Sequence, residues 1–101
     1  MRMMLKVSIP TEDGNRAIKD GTLPKAIERA MADLKPEAAY FTAEGGRRTA
    51  FIFIDMAHAS DMPMVAERFF FGFNASVDMI PVMNAEDLRK GLPAAMAALA
   101  G

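Results

Sequence analysis

Few residues in this sequence are suited to chemistry, and they fall in a few small groups. His58 is the only histidine, and the only side chain whose ordinary pKa lies close to neutral pH. It stands in Asp55-Met56-Ala57-His58-Ala59-Ser60-Asp61, with a carboxylate three residues away on each side. Either carboxylate could orient an imidazole, and a histidine so held can give or take a proton. The competing reading is a solvated loop histidine beside a helix cap. Tyr40 is the only tyrosine, and its hydroxyl can donate to a carbonyl or a phenolate. Lys6 and Ser8, Tyr40 and Thr42, and Ser76 and Asp78 each recur two residues apart. In a strand, that spacing puts both members of a pair on one side. If the three sides coincide, a mostly apolar chamber holds a few polar groups, as ligand pockets commonly do. Lys6 would then meet an anion, with Ser8 and Asp78 as further contacts. The alternative is a Lys6–Asp78 cross-strand pair and a tyrosine satisfied at an interface.

Other chemistries lack their residues. There is no cysteine, which excludes disulfides, thiolate metal sites and cysteine nucleophiles. Asp55, His58 and Asp61 fit no standard metal spacing, so neither a metal nor a cofactor is expected. No Ser-His-Asp arrangement, P-loop or dinucleotide fingerprint occurs. Arg47-Arg48 follow Gly45-Gly46, but with no helix start behind them they read as solvated hairpin charges rather than a phosphate site. Phe69-Phe70-Phe71 reads as core plus interface, with Phe70 a candidate floor for an apolar ligand. The 10 methionines suit adaptable apolar packing.

The elements that must position these groups follow from periodicity. Met3, Leu5, Val7 and Ile9 alternate with Met4, Lys6 and Ser8, which predicts a strand over 3–9. Residues 12–34 read as helical with a break at Asp20-Gly21, where Thr22 can cap a second start with Pro24 in its first turn. A second strand is expected over 38–44 and a third over 48–56, joined by a Gly45-Gly46 hairpin. The third holds the run Ala50-Phe51-Ile52-Phe53-Ile54, which suggests a central strand buried on both faces. Ser60 or Asp61 starts a helix with Pro63 in its first turn, and Asn74 helps end it. A fourth strand over 75–83 contains Pro81, which assigns it to an edge. Asn84 and Asp87 form an approximate capping box for a last helix, with Leu88, Leu92, Ala95, Met96 and Leu99 as its stripe.

The chain has 101 residues, 51% of them hydrophobic. That predicts a single domain over 1–101, with a core of about 3–84 and a terminal helix over about 85–100, and excludes a disordered chain. Twelve basic residues balance 13 acidic ones, which argues against nucleic acid as a partner. No apolar run is long enough for a membrane span. Lys6 and Ser8 interrupt the N-terminal apolar run, so a signal core is not expected either. A cytoplasmic protein without membrane contact is the expectation.

The order strand, helix, strand, strand, helix, strand, helix matches the ferredoxin-like βαββαβ pattern plus one helix. It is an α+β class. The four-stranded antiparallel sheet has its first and third strands in the middle and two helices on one face. The third strand is nevertheless apolar on both sides, with Phe51 and Phe53 opposite Ala50, Ile52 and Ile54. An uncovered face of that kind marks an interface. Apolar burial at ~25 cal/mol per Å² favours covering it with a second copy. The competing solution is the final helix folded over the open face of its own chain.

In element order, in the two-sided third strand and in Val77-Asp78-Met79-Ile80-Pro81-Val82 followed by Asn84-Ala85-Glu86-Asp87-Leu88, residues 3–84 resemble the dimeric α+β barrel superfamily, including small uncharacterised bacterial members. That resemblance implies a homodimer paired sheet to sheet, with ligands held between the open sheet face and the helices or partner. Known members include cofactor-free monooxygenases, haem-degrading enzymes and isomerases. The sequence has no tryptophan, unlike the monooxygenase and haem-degrading types that rely on one. Three functional expectations result. The first is a homodimer that binds a small apolar or aromatic molecule at the open face. The second is a cofactor-free monooxygenase or isomerase using Tyr40 and His58. The third is a self-association module with no ligand.

Overall fold

Alternation and turn chemistry set the strands. A computed structural model covers residues 1–101. It contains β1 (Arg2–Ile9), α1 (Thr11–Lys19), α2 (Thr22–Leu34), β2 (Ala38–Glu44), β3 (Arg47–Asp55), α3 (Met62–Phe73), β4 (Ser76–Pro81) and α4 (Ala85–Ala100), with a short 3-10 turn over Ala59–Asp61. The class is α+β, and the four strands form one open antiparallel sheet in the order β2-β3-β1-β4. β1 and β3 are central, β2 and β4 are edges. Gly45 and Gly46 turn the β2–β3 hairpin at φ +61° and +77°, angles that a side chain disfavours. β4 is shorter than its alternation suggests, although the Val82 amide still donates to the Arg2 carbonyl at 3.1 Å.

The first crossover holds two helices rather than one, so three helices cover the sheet face where two were expected. Asp20 ends α1, and Gly21 follows at φ +79°. Asp20 Oδ1 accepts from the Thr22 amide at 2.9 Å and from its hydroxyl at 2.7 Å. The break is therefore fixed by the Asp20 side chain, and Thr22 is the first residue of α2 rather than its cap. Those two bonds hold the Asp20 carboxyl below its ordinary value of 3.8.

Burial follows the alternation. Met3, Leu5, Val7 and Ile9 from β1 and Ile52 and Ile54 from β3 are at most 8% exposed. They join Ala17 of α1, Leu23 and Ala30 of α2, and Val65, Phe69 and Phe73 of α3 in one buried cluster. This is the covered face. On the other side, Met4, Phe51 and Phe53 are only half-buried. Apart from Thr49, which is 4% exposed, the third strand is thus buried on one face only, because no helix of the chain lies on the other.

α4 does not supply that cover. Its cap forms as its sequence indicates: Asn84 Oδ1 accepts from the Asp87 amide at 2.8 Å, and Asp87 Oδ2 from the Asn84 amide at 3.1 Å. Yet the helix buries no residue, and Leu88, Leu92, Met96 and Leu99 are all exposed. Sixteen residues at 1.5 Å each extend about 24 Å. The molecule measures 59 × 27 × 20 Å, and its radius of gyration is 16.6 Å, against about 13 Å for a compact chain of this size. No helix is long and apolar enough to cross a membrane.

Candidate functional site

Strand register brings most of the polar candidates onto one face. Lys6 lies directly across from Phe51 on one side and Asp78 on the other, and Tyr40 is across from Phe51. Ser8 sits between Thr49 and Ser76, and Thr42 is across from Thr49. Directly paired residues share a sheet face. Lys6, Ser8, Tyr40, Thr42, Ser76 and Asp78 therefore form a polar strip on the open face. Beside it the same face carries Met4 between Ile80 and Phe53, with Ala38 beyond.

Charge on this face is arranged differently from the simple cross-strand pair. The Lys6 ammonium pairs with Glu44, not with Asp78, because the Glu44 side chain reaches over the strip from the hairpin end of β2. The hydrogen bond to Glu44, with smaller help from Asp78, raises the Lys6 pKa above its ordinary value. Lys6 Nζ also stands 6.0 Å from the centre of the Phe51 ring, within cation–π range. Asp78 is exposed and has no ion pair. Tyr40 is 64% exposed, and its ring meets Phe53 edge-on at 6.4 Å and 80°. At the far end, Arg2 bonds Glu37 and, at 3.2 Å, Asp87 in the first turn of α4. α4 is thus tied to the rim of the open face.

His58 and Phe70 do not join the strip. His58 is exposed in the loop after β3. The Tyr40–Phe51 row lies four residues before the end of that strand, a separation of about 13 Å along it. Neither flanking carboxylate holds the imidazole. Asp55 Oδ1 accepts from the Met1 amino group at 2.7 Å, which lowers the Asp55 pKa. Asp61 Oδ2 accepts from the His58 backbone amide at 3.1 Å. The two proposed proton-handling residues are therefore apart within one chain. Phe70 lies on α3 and is 40% exposed. It belongs to the helical layer, on the opposite side of the sheet from Lys6 and Ser8. No group of three or more His, Asp or Glu residues is arranged to hold a metal ion.

The best-formed cavity is on the covered face, under α2. It has a volume of about 270 Å³, and every lining residue is apolar except Thr42, Thr49 and Arg48. Ile27 and Met31 of α2 wall one side, Phe41 of β2 and Ala50 of β3 the other. It exists because the helices do not reach across the edge strand, which leaves Phe41 54% exposed. Arg47 and Arg48 are both exposed, as solvated hairpin charges are, and Arg48 also borders this cavity. The signal was present: Arg48 falls on the same period-2 series as Ala50, Ile52 and Ile54, so it must point to the covered face.

No family model matches the chain, and neither a curated protein nor a solved structure matches it.

Proposed function

We propose that this protein acts as a homodimer of ferredoxin-like, dimeric α+β barrel type. Two sheets pair through their open faces, and the polar strip of Lys6, Ser8, Tyr40 and Asp78 contacts a small apolar or aromatic ligand between them. The observation that carries this reading is the open face itself. Met4, Phe51, Phe53 and Ile80 form one apolar area on it, and no helix of the chain lies over them. A two-fold pairing covers such a face with the same face of a second copy.

α4 supports the same reading. Gly91 and Pro93 lie inside this helix and cost it about 1 and 3 kcal/mol relative to alanine. A helix carrying both, and burying nothing, needs packing from elsewhere to persist. Its stripe starts at the rim of the open face, where Arg2 holds Asp87, so a second copy seated on that face can meet both surfaces.

The test is native mass spectrometry of the purified protein and of Phe53→Glu. The expected result is a dimer for the parent chain, with a retained small molecule adding to its mass, and a monomer for the variant, whose carboxylate would be buried unpaired in the interface. A parent chain that remains a monomer at high micromolar concentration overturns the pairing. A dimer that carries no added mass, and gains none when small aromatic carbonyl compounds are supplied, removes the ligand and leaves self-association alone.

A further inference from the structure

We propose that the free edge of β2 pairs with the same edge of a second copy, antiparallel and centred on Phe41, so that one sheet continues into the next. This contact uses the rim of the sheet rather than its open face, and it stands whether or not the faces pair.

Backbone accounting separates the two edges of the sheet. β2 borders only β3. The two-residue Gly45-Gly46 turn makes Glu44 and Arg47 the closing hydrogen-bonded pair of the hairpin. Alternation then points the backbone groups of Thr42, Tyr40 and Ala38 at β3, and those of Ala39, Phe41 and Ala43 outward. No turn or loop of the chain bonds these three. Nor does β2 carry the usual protections of an edge: its seven residues include no proline and no lysine, and its register with β3 runs without a bulge. β4 is different. The Val82 amide donates inward to the Arg2 carbonyl, so the same alternation puts Pro81 in the outward series of β4, where it has no N–H to offer.

The β2 edge is complementary to itself, which is why a second copy is the partner. About a two-fold axis at Phe41, Phe41 faces its own counterpart, Ala39 faces Ala43, Tyr40 faces Thr42 and Ala38 faces Glu44. Outward positions therefore meet only outward positions, and each such pair exchanges both of its hydrogen bonds. The one charge in the strand, Glu44, stands opposite an alanine and is already held by Lys6, so no like charges meet. Phe41 is 54% exposed, and the two rings become a direct cross-strand aromatic pair. The small side chains of Ala39 and Ala43 flank them on the same side. That exposure also shows that the helical layer stops short of β2, so neither copy's helices overhang the junction. The contact is isologous and closes at two copies. Where the open faces are paired as well, it joins two dimers into a tetramer. A seven-residue rim is a smaller surface than the sheet face, so the edges join at the higher protein concentration.

The experiment is sedimentation equilibrium, from low micromolar to near-millimolar protein, of the parent, Phe41→Lys, Phe53→Glu and the double variant. The parent should pass from dimer to tetramer, and Phe53→Glu from monomer to dimer. Phe41→Lys sets like charges opposite each other at the axis and should remain a dimer throughout, and the double variant a monomer. Circular dichroism of each variant verifies folding. Amide exchange in Phe53→Glu gives a second reading: protection of Ala39, Phe41 and Ala43 should rise with concentration, while that of Tyr40 and Thr42, already bonded to β3, stays constant. A parent that passes instead from monomer to dimer, in a step that Phe41→Lys abolishes and Phe53→Glu leaves intact, supports the edge contact and removes the face pairing. The edge contact is overturned if Phe41→Lys leaves the mass distribution unchanged. It is equally overturned if the Ala39, Phe41 and Ala43 amides exchange at one rate at every concentration, which would leave the edge to a strand of another protein.

Discussion

The two sides of β1 are built from one strand yet live in different surroundings. Leu5 is 0% exposed and Met3 1%, while Met4 and Lys6 beside them are only half-buried. Alternation separates the two sets and three helices decide which is sealed. The covered side carries nearly all the buried apolar surface of the chain, and therefore its stability. The open side carries comparable grease with no such return inside one molecule. That asymmetry is the observation on which the proposed pairing rests.

Unfolding in urea at low protein concentration, where the proposed pairing is disfavoured, measures the asymmetry directly. Leu5→Ala should lose about 2–5 kcal/mol, the range for deleting a buried leucine side chain. Met4→Ala, one residue away, should lose less than about 1 kcal/mol, because its side chain has little apolar contact to surrender. Equal losses would mean that the open side already contributes to folding within a single chain.

Hydrogen exchange sharpens the contrast. Amides of β1 should exchange only through global unfolding, while those of α4 should exchange through local fraying in dilute protein. Protection of α4 should rise with concentration if a second copy packs its stripe. Concentration-independent protection would show that α4 needs no partner.

The smallest expected effect concerns the break between α1 and α2. Asp20 is held below its ordinary pKa by its bonds to Thr22. A carboxyl depressed in the folded state adds stability above its unfolded pKa and loses it as pH falls through the folded one. Asp20→Ala should therefore be less stable than the parent at neutral pH. The gap should narrow as pH drops below 3.8, and a gap that stays constant with pH would remove the carboxylate as its cause.

Much of this architecture was legible because it rests on local rules. The bounds of β2, the Gly45-Gly46 turn, the edge position of β4 and the Asn84–Asp87 cap all follow from residue type and spacing. The shared side of Lys6, Ser8 and Asp78 was legible only conditionally, since alternation orders residues within a strand but not between strands. The choice of Glu44 over Asp78 by Lys6 was not legible, because it depends on side-chain reach across two strands. The distance between Tyr40 and His58 was hidden for the same reason: each sits in a plausible local setting, and only the register separates them. The side of the sheet from which Arg48 leaves was readable by parity, and its exposure by its place at the hairpin.

By itself the sequence determined which residues alternate, where the chain turns, and that more apolar surface exists than two or three helices can hide. Those are properties of near neighbours and of summed area. Tertiary structure alone decided that α4 stands off the sheet instead of lying on it, that β2 is left partly uncovered to open a cavity, and that Arg48 lies against Gly14 and bonds Asn15. Each of these depends on contacts between residues far apart in sequence, whose geometry is set by how whole elements pack, and no window of neighbouring residues contains it.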